Sequence, residues 1–188
     1  GYAGDKRSIL RVGNLLKERD LMMGFSTGED IIADLPSITL GMNPSIKGSR
    51  LSSGFDDLMC NYRSQRVFLN TTTENYEDGY NLALLEAMAV GMPVISTSNM
   101  TSPIKNGVNG FISNNINYLN ECAARLLNDQ NLGKIMGERA RETVRDKFPK
   151  TEFIIRWEKC IQGTIIEFLK SSGISLSDKP LAFQTKTK

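Results

Sequence analysis

The sequence predicts an α/β fold, a doubly wound parallel sheet followed by C-terminal helices. Three observations lead there. Short apolar runs of four or five residues alternate with helical segments as far as Asn114. These runs are β-branched or aromatic-rich, as strands buried on both faces tend to be. Beyond Asn114 three helical stretches follow one another with no strand between them.

The strands come in order as Ser8 to Val12, ending at Gly13; Ser37 to Leu40, ending at Gly41; Arg66 to Asn70, ending in three threonines; Pro93 to Ser96; and Gly110 to Ser113. Helix starts are marked between them. Ser26-Thr27-Gly28-Glu29 and Ser53-Gly54-Phe55-Asp56 each place a hydroxyl three residues before an acid, in or near the capping-box pattern. The helix from Asn81 to Val90 is expected to turn Leu82, Leu85 and Ala89 to one face, with Leu84 and Met88 beside it. Gly91 supplies its C-terminal cap and Pro93 prevents continuation. Strand–helix alternation of this kind implies right-handed crossovers. The closing helices span Ile116 to Asn128, Asn131 to Lys147 and Thr151 to Leu169, with Pro149 between the last two. Trp157, Ile154, Ile155 and Ile161 are expected to pack.

With 188 residues, 40% of them hydrophobic and 23% charged, the chain suits one ordinary domain plus a surplus. Residues 1–170 are read as that domain and 171–188, mixing Ser, Lys, Asp and Thr, as a disordered tail. A net charge of +2 is too small for a nucleic-acid surface, so basic groups must act locally. Cys60, Cys122 and Cys160 lack any C-x-x-C spacing and the chain has no histidine, which argues against a zinc site. Lack of histidine also removes the Ser-His and Cys-His nucleophile systems. The cysteines read as buried thiols of a reducing, cytoplasmic compartment. With no secretion signal in view, the Asn70-Thr71-Thr72 and Asn99-Met100-Thr101 sequons are taken as chance. No apolar run approaches the roughly 20 residues of a membrane span. The chain opens just before a strand without an initiating Met, as a domain cut from something longer would.

Ligands of open parallel sheets bind outside the carboxyl ends of the strands. Gly13 to Asp20, Gly41 to Ser49, Thr71 to Asn81 and Ser96 to Gly110 would gather there. Of these, the stretch from Glu77 through Asp78 and Gly79 to Glu86 enters a helix directly from a strand-following loop. Glu86 then sits roughly 8 Å along the helix axis. Backbone N–H groups of Tyr80, Asn81 and Leu82 at the helix start would favour an anion such as a diphosphate. Gly79 permits close approach.

Asp78 to Ile95, DGYNLALLEAMAVGMPVI, resembles the signature of GT-B glycosyltransferases of the retaining family-4 type. That signature is Glu, seven residues, Glu, then a helix and a Gly-x-Pro-Val-Ile strand. The resemblance implies that Asp78 contacts the donor sugar and that Glu86 hydrogen-bonds the ribose. Asp78 is a departure from the usual Glu, and Glu77 next door could share its role. Ser102-Pro103 through Phe111 resembles the family's Asp-Gly-x-Asn-Gly loop and the strand after it. Gly13-Asn14 through Arg19 resembles a Gly-Arg-x4-Lys loop whose cations neutralise the departing diphosphate. Here Asn14 stands at the Arg position and Arg19 at the Lys position, with Lys17 a nearby cation.

The resemblance covers residues 8 to 170. It implies the Rossmann-like, donor-binding C-terminal half of a GT-B fold and retaining transfer from a nucleoside-diphosphate sugar to an acceptor hydroxyl. Lys17, Arg19 and Asp78 are the implied catalytic residues. Gly13, Asn14, Glu77, Gly79, Tyr80, Asn81, Leu82 and Glu86 are the implied donor-binding residues. With no Asp-x-Asp motif, neither metal nor cofactor is expected. The acceptor, a sugar, lipid or protein, would sit on an N-terminal domain absent here, so the isolated chain is expected to be inactive. The full-length protein could act as a peripheral protein at a membrane, and the last helix could drive self-association. Half of a nucleotide-sugar epimerase and a non-catalytic nucleotide- or sugar-binding pseudoenzyme remain alternatives. A dinucleotide-binding oxidoreductase is disfavoured because no G-x-G-x-x-G follows the first strand.

Overall fold

The computed structural model describes residues 1–76 and 79–173. Glu77, Asp78 and the tail from 174 lie outside the described residues. The chain divides into two compact units, Gly1–Lys147 and Phe148–Lys188.

The first unit is built on five strands, β1 (Lys6–Val12), β2 (Ser37–Leu40), β3 (Gln65–Asn70), β4 (Val94–Ser96) and β5 (Phe111–Ile112). They form one parallel sheet in the order β2-β1-β3-β4-β5. All five predicted strands are present, and the doubly wound architecture follows from the alternation seen in sequence. The helices are α1 (Asp20–Met23), α2 (Phe25–Ile32), α3 (Phe55–Ser64), α4 (Leu82–Val90), α5 (Ile116–Asn128), α6 (Gln130–Lys147) and α7 (Lys150–Ser171).

Side chains alternate across the sheet with the two-residue period of a strand. Ile9, Val67, Leu69 and Ile95 face α2 and α5, burying Ile31, Leu119, Ala123 and Leu126. Leu10, Phe68 and Val94 face the other way, onto Tyr62 of α3, Leu84 and Met88 of α4 and Ala140 of α6. Burying each such large side chain contributes about 1.5–3 kcal/mol relative to leaving it in water. Helix α6 approaches the turn after α4 so closely that a Cβ at Gly137 would lie 1.9 Å from the Gly91 carbonyl oxygen.

Four local expectations need correction. Helix α2 begins at Phe25, and its first turn is capped from outside by Asp20, whose Oδ1 accepts from the Ser26 N–H at 2.7 Å. At α3 the acid that turns back to Ser53 is Asp57, one residue beyond the expected Asp56 (2.9–3.0 Å being ordinary for such a bond; here 3.0 Å). Helix α4 buries Leu84, Ala87 and Met88, whereas Leu82 is 71% exposed and Ala89 is also exposed. Because nearly all of α4 is apolar, its sequence could not say which stripe faces inward. Only Cys122 is buried, with its thiol pKa raised by desolvation; Cys60 and Cys160 are exposed.

In the second unit α7 runs for 22 residues from Pro149, which occupies its N-cap. Trp157, Ile154, Ile155 and Ile161, expected to pack, are exposed, as are Phe153 and Phe168. Phe153 and Trp157 lie one helical turn apart with ring centroids at 6.1 Å. No described helix is long and apolar enough to cross a membrane.

Candidate functional site

The carboxyl edge of the sheet is organised by two clasps made of amides and hydroxyls. The first joins the loops after β1 and β2. Asn14 Oδ1 accepts from the Met42 N–H, Asn43 Nδ2 donates to the Gly13 carbonyl, and Asn43 Oδ1 accepts from the Leu16 N–H, each at 2.8 Å. Asn43 is 4% exposed, so losing either partner would leave a buried amide unsatisfied. The backbones approach closely enough that a Cβ at Gly41, which has φ +128°, would lie 2.0 Å from the Gly13 carbonyl oxygen. Leu15 adopts φ +53°, an uncommon conformation for a residue with a Cβ, and its N–H bonds the Met42 carbonyl at 2.8 Å. Asn14, at the position where a cation was expected, is thus part of the clasp.

This anchored loop carries Lys17, Glu18 and Arg19, all exposed. Glu18 accepts from the Ser45 hydroxyl at 2.6 Å, and that bond holds its carboxyl below the usual carboxylate range. Among the described residues, Lys17 and Arg19 enter no ion pair. Two cations are therefore presented to solvent from a loop whose backbone is fixed on both sides.

The second clasp joins the end of β3 to the start of α4. Asn70 Oδ1 accepts from the Thr72 hydroxyl at 2.9 Å and from Asn81 Nδ2 at 3.2 Å, and Asn70 Nδ2 donates to Ser96 Oγ at 3.1 Å. Asn81 Nδ2 also reaches Thr72 Oγ1 at 3.2 Å. Asn81 itself is the N-cap, its Oδ1 accepting from the Leu84 N–H at 2.9 Å. The helix therefore begins at Leu82, and the Leu82 and Ala83 N–H groups have no acceptor within it. Upstream, Thr101 Oγ1 donates to the Gly79 carbonyl at 2.8 Å. Tyr80 is half exposed at the same helix start.

Between the clasps lies a small cavity of about 20 Å³, bounded by Val12, Leu16 and Met23 on one side and by Asn70, Thr72 and Asn81 on the other. That is room for roughly one water molecule. Arg11 also borders it. Arg11 is 6% exposed, pairs through Nη2 with Glu29 at 2.8 Å and stacks over Phe25 at 5.2 Å. Its Nε and Nη1 have no partner among the described residues. Glu86 lies elsewhere on α4, exposed, with its Oε2 accepting from the Tyr62 hydroxyl at 2.9 Å. Tyr62 is fully buried, and burial first, then the Glu86 charge, pushes its phenol pKa strongly upward.

Of the residues expected to form the site, the structure brings Gly13 and Asn14 together in the first clasp and gives Asn81 the cap of α4. Lys17, Arg19, Leu82 and Glu86 are all on the exposed side of their elements. Asp78 and Glu77 lie outside the described residues. Sequence reasoning missed Tyr62, Asn43, Asn70 and Arg11. Asn43 had a local signal, an Asn-Pro pair in a strand-following loop; a buried Arg inside an apolar strand had none. Among the described residues no group of three or more His, Cys, Asp or Glu could hold a metal ion.

Comparison with known proteins agrees with this architecture. In solved structures the fold matches HepE of Anabaena in complex with UDP and glucose, with TM-score 0.67 and 13% identity over 84% of this chain and 48% of HepE. It also matches TarM of Staphylococcus aureus, with TM-score 0.65 and 18% identity over 85% of this chain and 35% of TarM. These neighbours are GT-B glycosyltransferases, and at such identities they establish the fold alone. In sequence the chain is 29% identical over 157 residues to the capsular polysaccharide biosynthesis glycosyltransferase CapM of Staphylococcus aureus, which covers 81% of this chain. The match spans 38% of CapM's own length. The profile of the glycosyl transferases group 1 matches residues 12–129, more than half of the chain, and the chain belongs to that family.

Proposed function

We propose that this chain is the donor-binding half of a retaining, metal-independent glycosyltransferase. The observation that carries the reading is the geometry at the start of α4. That helix follows the loop after β3, is capped by a side chain, and turns the Leu82 and Ala83 amides outward beside a clasped loop bearing Lys17 and Arg19. Helix-start amides and fixed cations are the groups that bind a diphosphate and stabilise the charge it gains on leaving. Glu86, steadied by Tyr62, would accept from ribose hydroxyls. Asp78, aided by Glu77, would contact the donor sugar. HepE, a protein of the same fold, is known in complex with UDP and glucose, which supports a nucleotide-sugar donor here.

The chemistry at the anomeric carbon is loss of the nucleoside diphosphate and attack by an acceptor hydroxyl on the same face. Lys17, Arg19 and the α4 amides act on the leaving oxygen. Full acceptor binding would draw on the other half of a GT-B fold, so sugar transfer is expected to require both halves. Calorimetric titration with UDP and GDP, each with and without EDTA, tests the donor reading. Binding that persists in EDTA is expected. Binding abolished by the chelator would remove the metal-free mechanism, and no binding of either nucleotide at millimolar concentration would remove the donor assignment.

A further inference from the structure

On the face of the sheet opposite α4, between the ends of β3, β4 and β5 and the start of α2, lies a cavity of about 340 Å³. Its size falls within the range of small-molecule sites. Its lining is polar almost throughout, and only Ile116 contributes a purely apolar side chain. The framework is fixed. Thr71 Oγ1 donates to the Met23 carbonyl at 2.9 Å, Thr97 Oγ1 to the Thr72 carbonyl at 3.2 Å, and Asn114 Oδ1 accepts from the Ser98 N–H at 2.9 Å.

Around that framework stand polar side chains that open water can reach. The hydroxyls of Thr27, Thr73 and Ser98, the amide of Asn75, the Asn114 NH2 and the Glu74 carboxylate line the hollow as solvated groups, at least partly exposed, that a ligand could engage in place of water. This set contains both donors and acceptors around one hollow, the chemistry that matches a ring of hydroxyl groups. Two other ligand classes are disfavoured. No lining residue is cationic, so a phosphate would meet the Glu74 charge uncompensated. None is aromatic, so a nucleobase would find no ring to stack on.

We infer that this cavity is a subsite for a neutral saccharide ring separate from the donor, namely a sugar of the acceptor. The inference rests on the transferase reading for the word acceptor, but not for the binding of sugar. The cavity and the proposed donor site at the start of α4 share the loop that follows β3. Thr71 borders this cavity and the small one between the clasps, and Glu74 and Asn75 precede the acidic pair in the same loop. A sugar seated here would therefore lie beside the donor without occupying the diphosphate position.

Ligand-observed and amide-detected NMR on the full chain tests this, with methyl α-D-glucopyranoside and N-acetylglucosamine as probes and inorganic phosphate as the control. Millimolar binding of a sugar is expected, with shifts at Thr73, Ser98 and Asn114, and phosphate should leave these positions unmoved. Thr27→Val and Asn75→Ala should weaken sugar binding at least fivefold while UDP affinity stays within twofold of the wild type. Saturation with UDP-glucose should not displace the sugar. No sugar binding at 50 mM (about the ceiling for a weak monosaccharide site, above the ~1 mM that corresponds to roughly −4 kcal/mol) overturns the inference. So does binding that the two substitutions leave unchanged, or displacement by UDP-glucose. Loss of UDP binding with sugar binding intact would overturn the donor reading instead and leave the saccharide site standing.

Discussion

The hydroxyl of Tyr62, a residue with no exposed surface, points out of the core to meet the carboxylate of Glu86 at 2.9 Å. A buried phenol on α3 thereby fixes an exposed acid on α4. Glu86→Gln should weaken nucleotide binding by about 1.5–3 kcal/mol, the range for a hydrogen bond to a charged group. Tyr62→Phe should weaken it by a smaller factor, because Glu86 remains but is no longer oriented. Calorimetry with UDP beside a thermal melt checks both. A lowered melting temperature with an unchanged Kd for Glu86→Gln would make the contact purely structural.

Arg11 and Glu29 give opposite expectations for the two ends of one ion pair. The guanidinium is buried with Nε and Nη1 unpartnered among the described residues, whereas the Glu29 side chain is 52% exposed. Replacing a buried ionic group with an apolar one of similar size is often neutral or stabilising by about 1–4 kcal/mol. Arg11→Met should therefore cost little, while Glu29→Ala, which strands the guanidinium, should destabilise the fold. Urea denaturation compares them, and a larger loss for Arg11→Met would mean that the two free nitrogens have partners in solution.

Two glycines in helices should respond with opposite signs to alanine. Gly163 in α7 has open space around it, so Gly163→Ala should raise helix stability by about 0.5–1 kcal/mol. Gly137 in α6 faces the Gly91 carbonyl oxygen at a distance where a Cβ would be 1.9 Å away. Gly137→Ala should cost about 1–3 kcal/mol through forced repacking. Chemical denaturation followed by circular dichroism reads both.

Asp57 sets the acid sensitivity at the start of α3. The Arg50 guanidinium first, then the Ser53 N–H, hold its pKa at about 2. A carboxyl depressed in the folded state stabilises above its unfolded pKa of about 3.9 and loses that contribution as pH falls toward the folded value. Between about pH 4 and pH 2 the Ser53 to Asp57 turn should therefore loosen, and Asp57→Asn should remove that dependence. A carboxyl-detected NMR titration checks it, and a midpoint near 4 for Asp57 would contradict the pairing with Arg50.

The strands were legible in sequence because a parallel strand buried on both faces must be a short apolar run with a glycine or hydroxyl at its end, as at Val12-Gly13 and Leu40-Gly41. The C-terminal helices were legible from period and from Pro149. The buried face of α4 was not, because Leu82, Leu84, Leu85 and Met88 offer two apolar stripes and only tertiary contact chooses between them. The start of the site was legible as a helix following a strand loop. Its clasps were not, since Asn14 and Asn43 are 29 positions apart in numbering (43 − 14) and meet only when β1 and β2 pair.

The clasp between β3 and α4 is built wholly from Asn70, Thr72, Ser96 and Asn81. None of these side chains gains or loses a proton in the physiological range, and the chain has no histidine. The helix start thus keeps one shape and one dipole from mildly acidic to mildly alkaline solution. Acidity around neutrality then acts on whatever anion arrives, through the second ionisation of a terminal phosphate near about 6, while the receptor stays constant.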